Sequence, residues 1–148
     1  MARYGVFLGC FIPFRYPCVE VAIRKVFEAL DIEYVPLAKY SCCPEPVFTR
    51  MVDYDLWLTL AARNLALAEE QGVDKLLVPC CGCFESLHEA ERVLKDPELR
   101  EKVNKVLSKF GHEYKGKVKV EALVETLYKD FMQEIRELVK APFRARVA

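Results

Sequence analysis

Three short apolar runs in this chain, YGVFLG (Tyr4–Gly9), IEYVPLA (Ile32–Ala38) and DKLLVP (Asp74–Pro79), each run into cysteine within a few residues, and each is followed by an amphipathic stretch. Runs of this length bounded by polar residues read as buried strands, while the segments after them carry the period of helices. CVEVAIRKVFEAL repeats Val19, Ala22, Ile23, Val26, Phe27 and Leu30 on one helical face. DYDLWLTLAARNLALAEEQG opens on an Asp53 cap and stops at Gly72. The third run is followed by a helix near Phe84–Leu94 and by another opened by Asp96, with Pro97 in its first turn. KVKV (Lys117–Val120) reads as a fourth strand, and Val124–Val139 as a last helix with Leu127, Phe131, Ile135 and Leu138 on one face. Strands that alternate with helices build a parallel sheet through right-handed crossovers. The predicted fold is therefore α/β, a small, mostly parallel sheet of about four strands flanked by helices, as a single domain over residues 1–148.

In open sheets of this kind ligands bind outside the carboxyl ends of the strands. Cys10 follows the first strand, Cys42 and Cys43 the second, and Cys80, Cys81 and Cys83 the third, so all six are expected at one rim. Seven cysteines in all, an odd number, suit a disulfide framework poorly, and in a reducing compartment clustered thiols point to metal or catalysis. Interiors of hyperthermophile proteins are the exception, and the Glu/Lys/Arg-rich composition is compatible with one, so paired disulfides remain an alternative. Lysine plus arginine balances aspartate plus glutamate at 22 each, which leaves no net field for nucleic acid. No apolar run approaches the roughly 18 residues of a membrane span and no leader pattern opens the chain, so a cytoplasmic location is expected. Structural zinc usually takes two CxxC knuckles, and only Cys80–Cys83 has that spacing; a thioredoxin-like dithiol leaves Cys10, Cys42 and Cys43 without a role. Iron–sulfur clusters accept thiolates from several loops, which suits this distribution. Cys18, alone at a helix start, reads as a small core hydrophobe, and Cys81 is redundant beside Cys80 and Cys83.

The segments FLGCFIPFRYP, SCCPEPVF, AARNLALAEEQG, PCCGCFESLHEA and DPELREKVN closely resemble the N-terminal half of the B-type component of heterodisulfide reductase, whose cysteine-rich CCG domain carries the pattern C…CC…CxGC. The likeness runs from about Ala2 to the last helix. It implies a small α/β unit that holds a noncubane 4Fe–4S cluster on Cys10, Cys42, Cys43, Cys80 and Cys83, with Cys18 and Cys81 outside the pattern. The resemblance further implies an oxidoreductase component of methanogenesis that cleaves the disulfide of coenzyme M and coenzyme B by two electrons. Those electrons would arrive from a cluster-bearing C-type component fed by a flavin-containing A-type component. In that family two CCG domains stand in tandem and the disulfide is cleaved between them, so a second CCG domain, or a homodimer, is the expected partner of the one encoded here. Arg15 is the candidate cation for the anionic substrate, and His88 the candidate proton donor to a leaving thiolate. A non-catalytic electron relay and a zinc-binding module are the alternatives.

Overall fold

The computed structural model describes residues 2–141; Met1 and residues 142–148, the ends of the single-domain reading, lie outside the described residues. Four strands, β1 (Tyr4–Val6), β2 (Tyr34–Pro36), β3 (Lys75–Val78) and β4 (Lys119–Ala122), form one all-parallel sheet in the order β2-β1-β3-β4. The α/β prediction holds. Gly5 of β1 stands opposite Val35 on one side and Leu76 on the other. The chain leaves β1 in one direction for β2 and then crosses back to β3, so the strand order reverses between β1 and β3. That reversal opens a crevice at the carboxyl ends of those two strands.

Eight helices lie among the described residues: α1 (Phe11–Arg15), α2 (Pro17–Ala29), α3 (Phe48–Val52), α4 (Tyr54–Glu70), α5 (Cys81–Val93), α6 (Pro97–Leu107), α7 (Leu123–Asp130) and α8 (Met132–Leu138). Successive strand residues point to opposite faces, and the core divides accordingly. Phe7, Leu76, Val78 and Val120 pack against Trp57, Leu65, Leu87 and Val103 of α4, α5 and α6. Val6 and Leu77 pack against Ile23 and Phe27 of α2 and Leu123 of α7. The caps sit where the residues place them: Asp53 accepts the amide of Leu56 at 2.9 Å, Asp96 accepts that of Glu98 at 2.8 Å, and Gly72 ends the fourth helix with φ +74°.

Several boundaries differ from the periodicity. β1 and β2 are three residues each, because the chain turns out of the ladder toward the cysteine loops after Val6 and Pro36, although Phe7 still donates to the Leu77 carbonyl at 3.0 Å. The short α1 and α3 occupy stretches read as connections. The third-unit helix starts at Cys81 rather than near Phe84, which draws Cys81 and Cys83 into its first turn. The last helix breaks at Phe131 (φ −131°, ψ 11°), whose ring lies 6.4 Å from that of Tyr4 and thereby seals the amino end of the second core. No described helix is long and apolar enough to cross a membrane.

Candidate functional site

Each cysteine loop has its own local cause. After β1 the chain turns at Gly9 (φ +69°) and delivers Cys10 to the start of α1. The left-handed conformation favours glycine, and a Cβ there would stand 2.6 Å from the Cys83 sulfur, so Gly9 also makes room for that thiol. After β2 an irregular loop carries Cys42 and Cys43. After β3, Cys80 takes an extended conformation at the N-cap of α5, and Cys83 lies inside its first turn. The amino end of this 13-residue helix directs unpaired N–H groups and a positive dipole end at that corner, which favours sulfur in the thiolate form.

The structure brings five of the thiols together as neighbours: Cys42 beside Cys10 and Cys43, Cys43 beside Cys83, and Cys83 beside Cys80. Cys43 and Cys83 are buried, Cys80 is half-buried, and Cys10 and Cys42 are exposed, so the group runs from the crevice floor to solvent. The neighbouring Cys83 thiol pulls Cys43 down to about 7, against the opposing effect of burial. Cys43, followed by burial, pushes Cys83 upward. Of the two, Cys43 is the more acidic thiol. Burial, reinforced by Cys43 and Cys10, raises Cys42 to about 11. Among the described residues no three His, Cys, Asp or Glu side chains close on one metal-ion position. Five soft donors delivered by three loops suit thiophilic metal ions.

The remaining candidates are not among these neighbours. Cys18, read as a core hydrophobe, is instead exposed, at a shallow apolar groove of about 260 Å³ lined by Val19, Ala22, Val26, Leu123 and Leu127. Cys81 is exposed. Arg15 is exposed in the last turn of α1. His88 stacks on Phe84 with ring centroids 5.0 Å apart and faces a charged groove along β4 that holds Lys75, Glu121 and Thr126 but no cysteine. Exposed apolar side chains follow the thiols along the chain: Phe11 and Phe14 after Cys10, and Phe48 and Met51 after the vicinal pair, with Phe14 87% and Met51 82% exposed.

Three residues that periodicity assigns simply to helices, Asn64, Ser86 and Trp57, bear directly on the site. Asn64 accepts the Ser41 amide at 2.9 Å and donates to the Cys42 carbonyl at 2.9 Å. Ser86 shares its hydroxyl proton between the carbonyls of Pro44 at 2.6 Å and Cys43 at 3.0 Å, and accepts from the Trp57 indole at 2.9 Å. The only trace in the sequence is a polar residue inside an alanine- and leucine-rich helix, AARNLALA, which signals a buried partner only once the face is known.

Gly9 supplies a direct test of this geometry. Gly9→Ala forces a left-handed residue at a cost of about 1–2 kcal/mol and displaces the Cys83 sulfur. The expected result is a thermal midpoint lowered by several degrees together with reduced metal uptake; an unchanged midpoint and full uptake would contradict the contact.

The sequence model of the cysteine-rich domain family named CCG matches residues 4–88. A protein of Archaeoglobus profundus described as similar to the B component of heterodisulfide reductase is 44% identical over 95% of this chain and 47% of its own length. The B component of the ferredoxin:CoB-CoM heterodisulfide reductase of Methanosarcina mazei is 38% identical over 100% of this chain and 50% of its own. The chain thus spans about half the length of these curated relatives. A crystal structure of a hypothetical protein from Helicobacter pylori shares the fold, with TM-score 0.74 at 20% identity over 88% of this chain and 26% of that one.

Proposed function

Since this chain belongs to the cysteine-rich CCG domain family, we propose that it is a single CCG domain serving as the iron–sulfur half-site of a B-type heterodisulfide reductase component. Cys10, Cys42, Cys43, Cys80 and Cys83 would hold a noncubane 4Fe–4S cluster. The observation that carries this reading is the gathering of five thiols from three separate loops at the carboxyl ends of the strands. The substrate would be the disulfide of coenzyme M and coenzyme B, or a related disulfide, and electrons would arrive through C- and A-type components.

Such a cluster, when bound, would supply the electrons for cleavage of a disulfide. The residues divide the remaining work. Cys43 and Cys83 would anchor the buried end, with Cys83 in the first turn of α5. Cys10 and Cys42 stand at the solvent end, where a substrate can approach. That exposure favours catalysis over a relay role, because a relay needs only tunnelling distance and gains nothing from an open face. The exposed Phe11, Phe14, Phe48 and Met51 would exclude water if a second CCG domain covered them.

Anaerobic disulfide reduction with a viologen donor tests the proposal. The reconstituted chain alone should show little turnover, and addition of a second CCG domain should restore it while light scattering reports a complex. Full turnover by a strictly monomeric chain would remove the need for the second domain. Electron uptake without disulfide cleavage in any combination would favour the relay.

A further inference from the structure

The loop that carries Cys42 and Cys43 has no ladder or helix to hold it, so its peptide groups need partners from outside. Those partners are two side chains that are themselves fully buried, Asn64 of α4 and Ser86 of α5. Burying an amide or a hydroxyl is costly unless its polar atoms are bonded, and here both ends of the Asn64 amide are engaged by the loop. Ser86 is engaged on both sides as well, by the Trp57 indole and by the loop carbonyls.

The placement of these bonds is specific. Asn64 grips the chain at Ser41 and Cys42, and Ser86 grips it at Cys43 and Pro44, so the vicinal pair is fixed from both flanks. Cys43 is buried beside Cys83, and Cys42 is exposed beside Cys10. A rotation of either flanking peptide would swing one thiol away from its neighbour. Ser86 also lies three residues after Cys83 on the buried face of the same helix, so the helix that carries one thiol sets the position of the thiol facing it.

The structure assigns to Asn64 and Ser86, with Trp57 behind Ser86, the role of positioning residues that set the aim of the Cys42–Cys43 pair. Neither side chain touches a sulfur in the hydrogen-bond pattern; both act through the main chain. As a statement about cluster loading, this rests on the iron–sulfur reading above; as a statement about the thiols, it stands independently of it.

Two measurements separate these. In the metal-free chain, alkylation with N-ethylmaleimide followed by mass spectrometry reads the protection of each cysteine. Asn64→Ala and Ser86→Ala should speed Cys43 modification severalfold while exposed Cys18 and Cys81 react at unchanged rates, and Ser86→Thr, which keeps the hydroxyl, should restore protection. After anaerobic loading, Asn64→Ala and Ser86→Ala should retain less iron than wild type and give an altered electron paramagnetic resonance spectrum, with Ser86→Thr again like wild type. Cooperative thermal unfolding of each variant guards against simple loss of fold, and if Asn64→Ala does not fold, the Ser86 pair decides. Equal Cys43 protection in Ser86→Ala and wild type would overturn the assignment, as would wild-type iron content and an unchanged spectrum in both alanine variants. If wild type itself takes up no iron, the iron–sulfur reading fails, and the alkylation rates still decide the positioning role.

Discussion

Cys43→Ala and Cys83→Ala should each cut the iron retained after anaerobic reconstitution severalfold, whereas Cys18→Ala and Cys81→Ser should leave it unchanged. Cys43 and Cys83 are the buried middle of the thiol group, each beside the other and one further cysteine. Removing either splits the five into separate groups, so the remaining thiols no longer span the crevice. Cys18 faces an apolar groove between α2 and α7, and Cys81 is exposed in the first turn of α5. Iron and acid-labile sulfide per chain, read alongside the visible spectrum, check this. Equal loss from Cys81→Ser would move the ligand assignment within PCCGC by one position.

Trp57→Ala is expected to be the most destabilising single change away from the thiols, at about 3–5 kcal/mol. The indole is fully buried between the sheet and α5, its ring lies 5.4 Å from that of Tyr54, and the Arg50 guanidinium stands 5.1 Å over it. Truncation leaves a large cavity and strips Ser86 of its donor. Against a total stability of about 5–15 kcal/mol for a domain, a loss of that size populates the unfolded state measurably at ordinary temperature. Trp57→Phe keeps most of the packing and loses the hydrogen bond, so a smaller loss of about 1–3 kcal/mol is expected. Urea unfolding of the metal-free chain reads both. A Trp57→Ala loss below that of Trp57→Phe would contradict the packing described.

The unequal legibility of this chain has physical causes. The βα alternation and the caps at Asp53, Asp96 and Gly72 are local signals, written in apolar spacing and in residues that satisfy helix ends, and the structure uses all of them. Convergence of the cysteine loops follows from a general property of parallel sheets and needs only the strand ends to be placed. Five-residue helices such as α1 and α3 are too short to show a period, and their exposed Phe14 and Phe48 imitate core residues. The break at Phe131 is a tertiary effect, since nothing in VETLYKDFMQEIREL interrupts helical propensity and the Tyr4 contact is distant in sequence. His88 is close to the thiols by count, but five residues on from Cys83 is about 140° around a helix, which turns it toward the β4 edge. Asn64 and Ser86 are invisible as site residues in the sequence because their importance lies in what they hold, and that depends on burial.

The central claim, that these thiols hold an iron–sulfur cluster, is tested most directly by metal and sulfide analysis of the protein purified and reconstituted without oxygen. About four irons with a matching amount of acid-labile sulfide per chain, retained through desalting, are the predicted result. Stoichiometric zinc with no sulfide, or free thiols that retain no metal, would contradict it.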